Sequence, residues 1–187
     1  MNRRANNLIR FFWAGFVVCM LLLSGCAAKK GALKPEDRRR DGALSLFREG
    51  VEVLFEDNQK ALVKFDQARE VDPSFVAAHF NAGLALEALG IMPEAALRYQ
   101  ACLAQNKESP NCLVSLLLIK AKMGELNAAD ELANQYLAEY PESPFAQSAA
   151  AHLALYQKDF VRAEKLARQA IERDAENIEA LYVMARI

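Results

Sequence analysis

The sequence predicts an all-α chain, a right-handed α-solenoid of antiparallel helix pairs with four repeats plus the first helix of a fifth. Three observations predict it. Ala61, Ala95, Ala129 and Ala163 recur at one fixed spacing of thirty-four positions, as do Ser109, Ser143 and Asn177, and Gly90 with Gly124. Apolar residues make up 53% of the chain while aromatics supply only 9%. Alanine and leucine therefore carry the apolar content, which favours helices meeting over small contact residues rather than sheets of β-branched ones. Helix-boundary signals fall on the same period: Ser109-Pro110 and Ser143-Pro144 mark starts, and the two glycines mark turns.

Residues 1–25 come first and stand apart from the repeats. Arg3, Arg4 and Arg10 form a basic start, Phe11 to Leu23 a short apolar stretch, and Ser24-Gly25 a small pair. A helix needs about 20 apolar residues to cross a bilayer, more than this stretch supplies, so the segment is expected to be an export signal rather than a span. Leu23-Ser24-Gly25-Cys26 resembles the lipobox of bacterial lipoproteins. The resemblance implies cleavage between Gly25 and Cys26, a diacylglycerol thioether on Cys26 and a further acyl chain, such as palmitate, on its freed amine. Each buried methylene contributes about 0.8 kcal/mol, so three chains hold where one attaches only reversibly. The competing reading is an uncleaved signal anchor with an incidental cysteine. Position 27 is alanine, not the aspartate that in enteric-type lipoproteins signals retention at the inner membrane. The resemblance therefore implies the outer membrane, facing the periplasm. Residues 26–41 read as a tether that spans at most about 55 Å. Within it Arg38 to Arg40 read as a solvated charge run, with anionic headgroups as the alternative contact.

The repeats follow at 42–75, 76–109, 110–143 and 144–177. In the first, Gly50 takes the small slot of helix one and Ala61, Phe65 and Ala68 belong to helix two; its inner turn is one residue short. The second, Val76 to Ser109, is the fullest: His79, Ala82, Gly83 and Leu86 in the first helix, Gly90 at the turn, then Ala95 and Tyr99. The third carries Leu113, Leu116, Gly124 and Ala129, with Leu117 where a small residue is usual and Asn127 suited to a cap. The fourth carries Ala150, Ala151, Ala154, Ala163, Ala167 and Ala170, and departs from the pattern at Gln147 and Lys158. This period, with small residues in fixed slots, resembles the tetratricopeptide repeat (TPR) over about three quarters of the chain. The resemblance implies helix pairs stacked into a superhelix. Ile178 to Ile187 fits the first helix of a partial fifth repeat, with Leu181, Met184 and Ala185 in its slots. It is too apolar for a solvating cap. The expectation is that the array continues beyond it, the alternative that it caps by burying its apolar face on the fourth repeat.

Chemistry is sparse. His79 falls in a slot between helices, His152 on the face lining the groove, and no metal-ligand spacing or phosphate-binding loop links them. No catalytic residue, metal or cofactor is expected, and the chain does not read as an enzyme. Without residues 1–25 the balance is 20 basic against 24 acidic residues, which speaks against nucleic acid as a partner. Cys102 and Cys112 leave two readings open in an oxidising compartment: a disulfide across the turn, or two small apolar residues.

What remains is a surface. The register projects Phe47, Val51, Phe80, Leu84, Val114, Leu118, His152, Tyr156 and Tyr182 into a concave groove. Large apolar patches mark binding sites, and the run Leu113 to Gly124, apolar on nearly every side, points the same way. The bland alternative is burial within the superhelix. The expected partner is a peptide or helix of an envelope protein, and the expected role a lipid-anchored adaptor. Lipobox and repeats together resemble type IV pilus pilotins, which assemble a secretin pore, and less specifically the TPR lipoproteins of gliding-motility machineries and of outer-membrane protein assembly. The rival is a regulator that recruits an envelope peptidoglycan hydrolase or protease.

Overall fold

Helix follows helix at the predicted spacing. The structure is a computed structural model and describes residues 34–187 apart from Phe55. The signal sequence, the cleavage position Gly25/Cys26, the lipidation of Cys26 and the first part of the tether lie outside the described residues. Of the two units into which the chain divides, Met1–Asp37 and Arg38–Ile187, the second holds the repeats.

The described residues form nine helices and no strand: α1 (Pro35–Val53), α2 (Asn58–Val71), α3 (Val76–Ala88), α4 (Met92–Gln105), α5 (Pro110–Lys122), α6 (Leu126–Glu139), α7 (Pro144–Tyr156), α8 (Phe160–Arg173) and α9 (Ile178–Arg186). From α3 on, first helices start at the spacing read from the alanines, and second helices do so from α2 on. Each consecutive pair from α2 to α9 packs together, and α5 and α9 also pack on α7. This is the predicted all-α solenoid of paired helices. No described helix is long and apolar enough to cross a membrane.

One boundary moves. The tether is expected to reach residue 41, but α1 already begins at Pro35. Proline at the first helical position loses no hydrogen bond, and Glu36 and Asp37 in the first turn oppose the positive end of the helix dipole. Gly42 does not break the helix.

The turns show why the register holds. Gly90 and Gly124 take φ of 76° and 84°, and Lys158, in the same slot one repeat later, takes 63°. After each, the next amide reaches back five residues: Ile91 N to Leu86 O, Glu125 N to Lys120 O and Asp159 N to Ala154 O, all at 2.9 Å. That left-handed closure satisfies carbonyls the helix end would orphan. Helix starts are less uniform than the sequence implies. Ser109 and Ser143 sit at N-cap positions but provide no side-chain cap; Ser109 Oγ instead lies 3.1 Å from Cys112 Sγ. The cap of α6 is Glu125, so Asn127 falls inside the helix. Side-chain caps come from Asp57, Asp159 and Asn177.

The core forms two clusters, a smaller one of Leu54, Ala61, Phe65, Ala82 and Ala85 and a larger one that runs from Leu86 to Val183 through the later repeats. Ala61, Ala95, Ala129 and Ala163 are fully buried. A Cβ on Gly50 would lie 2.6 Å from Phe65, and one on Gly83 would overlap the ring of Tyr99. Glycine there is the space an aromatic ring occupies.

Candidate functional site

The first helices of the repeats, α1, α3, α5, α7 and α9, carry the residues predicted to line the groove, and the structure treats them unequally. Val51, Tyr156 and Tyr182 are exposed; Phe47, Phe80, Leu84 and Leu118 are half-buried. Val114 and His152 are buried, at 8% and 9% exposure, a correction to the expectation that they face the groove openly. The reason is that α7 packs directly against both α5 and α9. The same packing settles the apolar run of α5: Leu113, Leu116, Leu117 and Ile119 are no more than 2% exposed. With α4, α6 and α7 packed against it, α5 is largely core, and of its apolar run Leu118 remains partly open.

The half-buried aromatics rest on neighbouring rings. Phe47 lies 5.6 Å from Phe65 and 5.1 Å from Phe75, and Phe80 lies 5.9 Å from Tyr99, centroid to centroid. Such tilted pairs hold each groove ring by its back. Behind Phe80, Tyr99 donates to Glu87 at 3.0 Å and Lys122 donates to the same carboxylate at 2.5 Å. Burial, reinforced by Glu87, pushes the Tyr99 phenol well above its ordinary range, so it stays a donor.

Two concavities form along this face. Phe80 lines one, between the starts of α3 and α5, with Phe75, Val76, Ala77, Asn111 and Arg40 among its walls. The other brings together four predicted residues, Leu118, His152, Tyr156 and Tyr182, with Leu155, Phe160 and Arg186. Here the imidazole of His152 stacks on Tyr182 at 5.3 Å with the rings 4° from parallel. Its Nε2 lies 2.7 Å from the Glu179 carboxylate. That close contact with His152, more than any other influence, holds Glu179 below the usual carboxylate range, against its partial burial. Phe47, Val51 and Leu84 line neither concavity.

Sequence reasoning missed Phe160, Leu155, Arg186 and Glu179. Phe160 had a signal: it follows Met92 and Leu126 at the repeat period as the first residue of a second helix. Glu179 had none, because its partner His152 lies two helices back along the chain, on α7. His79, 5% exposed, sets its Nε2 2.9 Å from the Pro73 carbonyl. Gln147, which departs from the sequence pattern in the same slot, makes the equivalent bond from Nε2 to Pro141 O at 3.0 Å. The two side chains do one job. Cys102 and Cys112, buried with Cα atoms 6.2 Å apart, are joined as a disulfide that links α4 to α5. Among the described residues no cluster of His, Cys, Asp and Glu could hold a metal ion.

No family model and no curated protein matches the chain. Solved structures do. A TPR protein from Parabacteroides merdae is similar at a TM-score of 0.55 and 19% identity, covering 78% of this chain, which spans 59% of its length. MamA is similar at 0.54 and 18%, covering 72% of this chain and 79% of its own. A thermophilic TPR protein from Thermus thermophilus is similar at 0.56 and 18%, over 95% of this chain and 94% of its own. At such identities the likeness is one of fold.

Proposed function

We propose that this chain, whose fold is that of TPR protein-interaction scaffolds, is an adaptor carried on the periplasmic face of the outer membrane by lipid on Cys26. The observation that carries the binding role is the row of apolar side chains left partly open on successive first helices, Phe47, Phe80, Leu84 and Leu118, ending in Tyr156 and Tyr182. A monomer gains nothing by wetting them, and a chain laid along the face would bury them. The address rests on residues 1–26, whose basic start, short apolar stretch and Leu23-Ser24-Gly25-Cys26 box support export and acylation. In this reading the chain performs no reaction itself. It holds a protein of an envelope machine, of which a type IV pilus secretin or a gliding apparatus is the first to examine.

Photo-crosslinkers placed at Phe80 and at Leu118 in cells capture the partner, and mass spectrometry names it. The double variant Phe80→Lys/Leu118→Lys is expected to abolish that capture from a crosslinker at Leu84 while leaving the fold intact. An unchanged set of captured chains removes the groove role. Cys26→Ala is expected to abolish labelling by an alkyne fatty acid and to release the protein from the outer-membrane fraction; labelling that survives removes the anchor. Capture of a soluble hydrolase or protease in place of a pore component would redirect the reading to enzyme recruitment.

A further inference from the structure

Resting on the groove reading, we propose that the cleft between the starts of α3 and α5 is the anchor pocket of the face, and that the bound segment places one aromatic side chain in it. The cleft holds about 450 Å³, within the range of small-ligand pockets.

This cleft lies inside the array, with α1 and α2 before it and α6 to α9 after it. It opens because the first helices part there: α5 packs on α7 and α7 on α9, whereas α3 and α5 do not pack on each other in this way. Equivalent positions along the repeats record the same change. Phe80 is half-buried, while Val114 and Ser148, one and two repeats later, are 8% and 0% exposed. Asn111, exposed at the mouth of the cleft, has Phe145 as its counterpart one repeat later. Phe145 is 9% exposed, its ring centroid 6.1 Å from that of Tyr136 and 5.8 Å from that of Tyr140. At the later junction the chain supplies its own ring in this slot. Between α3 and α5 it supplies a short amide and leaves the place to a ring from outside.

The lining decides the chemistry of the occupant. Phe75, Val76, Ala77 and Phe80 form a half-buried apolar wall. The polar groups beside them are spent: Asp72 accepts the amide and the hydroxyl of Ser74 at 3.1 and 2.6 Å, and Ser109 Oγ lies 3.1 Å from Cys112 Sγ. Arg40 and Asn111 stand exposed at the rim and stay hydrated when an apolar group enters. The walls are also set before anything binds. Phe75 rests on Phe47 at 5.1 Å and Phe80 on Tyr99 at 5.9 Å. The disulfide to Cys102 holds Cys112, and with it the first turn of α5, against α4. Rings held by their backs receive another ring at little cost in freedom, and an aromatic anchor in such a pocket carries a large share of binding.

A random dodecapeptide library displayed on phage, selected against the purified full chain, tests this. Enriched peptides are expected to share one Phe or Trp, whose replacement by Ala in a synthetic copy weakens binding at least tenfold. Asn111→Phe gives the cleft the ring that Phe145 gives the next repeat. It is expected to weaken the same peptide at least tenfold with a Tm no lower than that of the wild type, a combination that damage to the fold would not produce. Ala77→Phe fills the cleft from the opposite wall and is expected to act alike, so it reads the pocket should the first variant not fold. Asn111→Ser leaves the cleft open and is expected to bind as the wild type does. Peptides indifferent to both filled variants but lost with Leu118→Lys overturn the pocket and leave the groove standing. Peptides indifferent to all three overturn both, and a selection that enriches nothing, or enriches peptides with no shared aromatic residue, overturns the pocket.

Discussion

At the scale of single residues, the two departures from the repeat pattern have opposite physical meanings. Lys158 is forced to φ 63° because its slot closes the helix in the left-handed region that Gly90 and Gly124 enter freely. An L-residue with a Cβ is crowded there against the carbonyl at a cost of about 1 to 2 kcal/mol, less the extra freedom a glycine loses on folding. Lys158→Gly should therefore raise stability by about 1 kcal/mol, read as a higher Tm. Gln147, by contrast, keeps the interaction: it replaces His79 in the same contact with a proline carbonyl. Burial, helped by Arg69 and Arg98, lowers the His79 pKa below 6.5 despite the Pro73 carbonyl and Asp66. Below pH 6.5 the unfolded chain then binds more protons at this residue than the folded one, so its effect is absent above that pH and grows as pH falls toward the folded pKa. His79→Gln keeps the bond and removes the titration. Between pH 7 and pH 5 the Tm of the wild type should fall further than that of His79→Gln, and parallel curves would show that burial does not penalise the charged ring.

At the scale of paired helices, the first three repeats fill one shared space with different distributions of volume between the two helices, and the fourth fills it with two small residues. Gly50 faces Phe65 and Gly83 faces Tyr99. The corresponding positions in the third pair are Leu117 and Ala133, buried at 0% and 1% exposure, and in the fourth Ala151 and Ala167. Leu117, which breaks the small-residue rule in the sequence, thus stands where the opposite helix has given up its aromatic. This explains why the pairing was legible from period alone while Leu117 was not: a period records which slots are internal, not which helix fills them. Leu117→Gly should cost about 2 to 5 kcal/mol as a cavity with a helix-weakening glycine, and Ala133→Phe about 1 to 3 kcal/mol as overpacking. Together they rebuild the Gly50/Phe65 arrangement, so the double variant should be more stable than the sum of the two losses by about 1 to 3 kcal/mol. Additive losses in denaturant titrations would mean the two side chains do not share a space.

At the scale of the whole molecule, the sequence announced the stack because each repeat reuses the same local solution, whereas the site is made by contacts between repeats that no local pattern encodes. His152 meets Glu179 and Tyr182 only because α9 packs on α7, and Val114 is covered only because α5 does the same. Stability in such an array is a sum of repeat and nearest-neighbour terms, so a covalent tie between repeats acts on one junction. The Cys102–Cys112 disulfide ties the second helix of the second repeat to the first helix of the third. It closes a short loop, which in the chain-entropy account stabilises by about 2 to 3 kcal/mol. In the paired Cys102→Ala/Cys112→Ala variant both side chains remain small and apolar, so the loss isolates the tie better than reduction would. Denaturant titration should show that loss, and hydrogen exchange should place it in α4 and α5, with α8 and α9 nearly unchanged because they pack against neither cysteine's helix. Exchange accelerating equally along every helix would mean that the array unfolds as a single cooperative block and that the junction between the second and third repeats is no weaker than the rest.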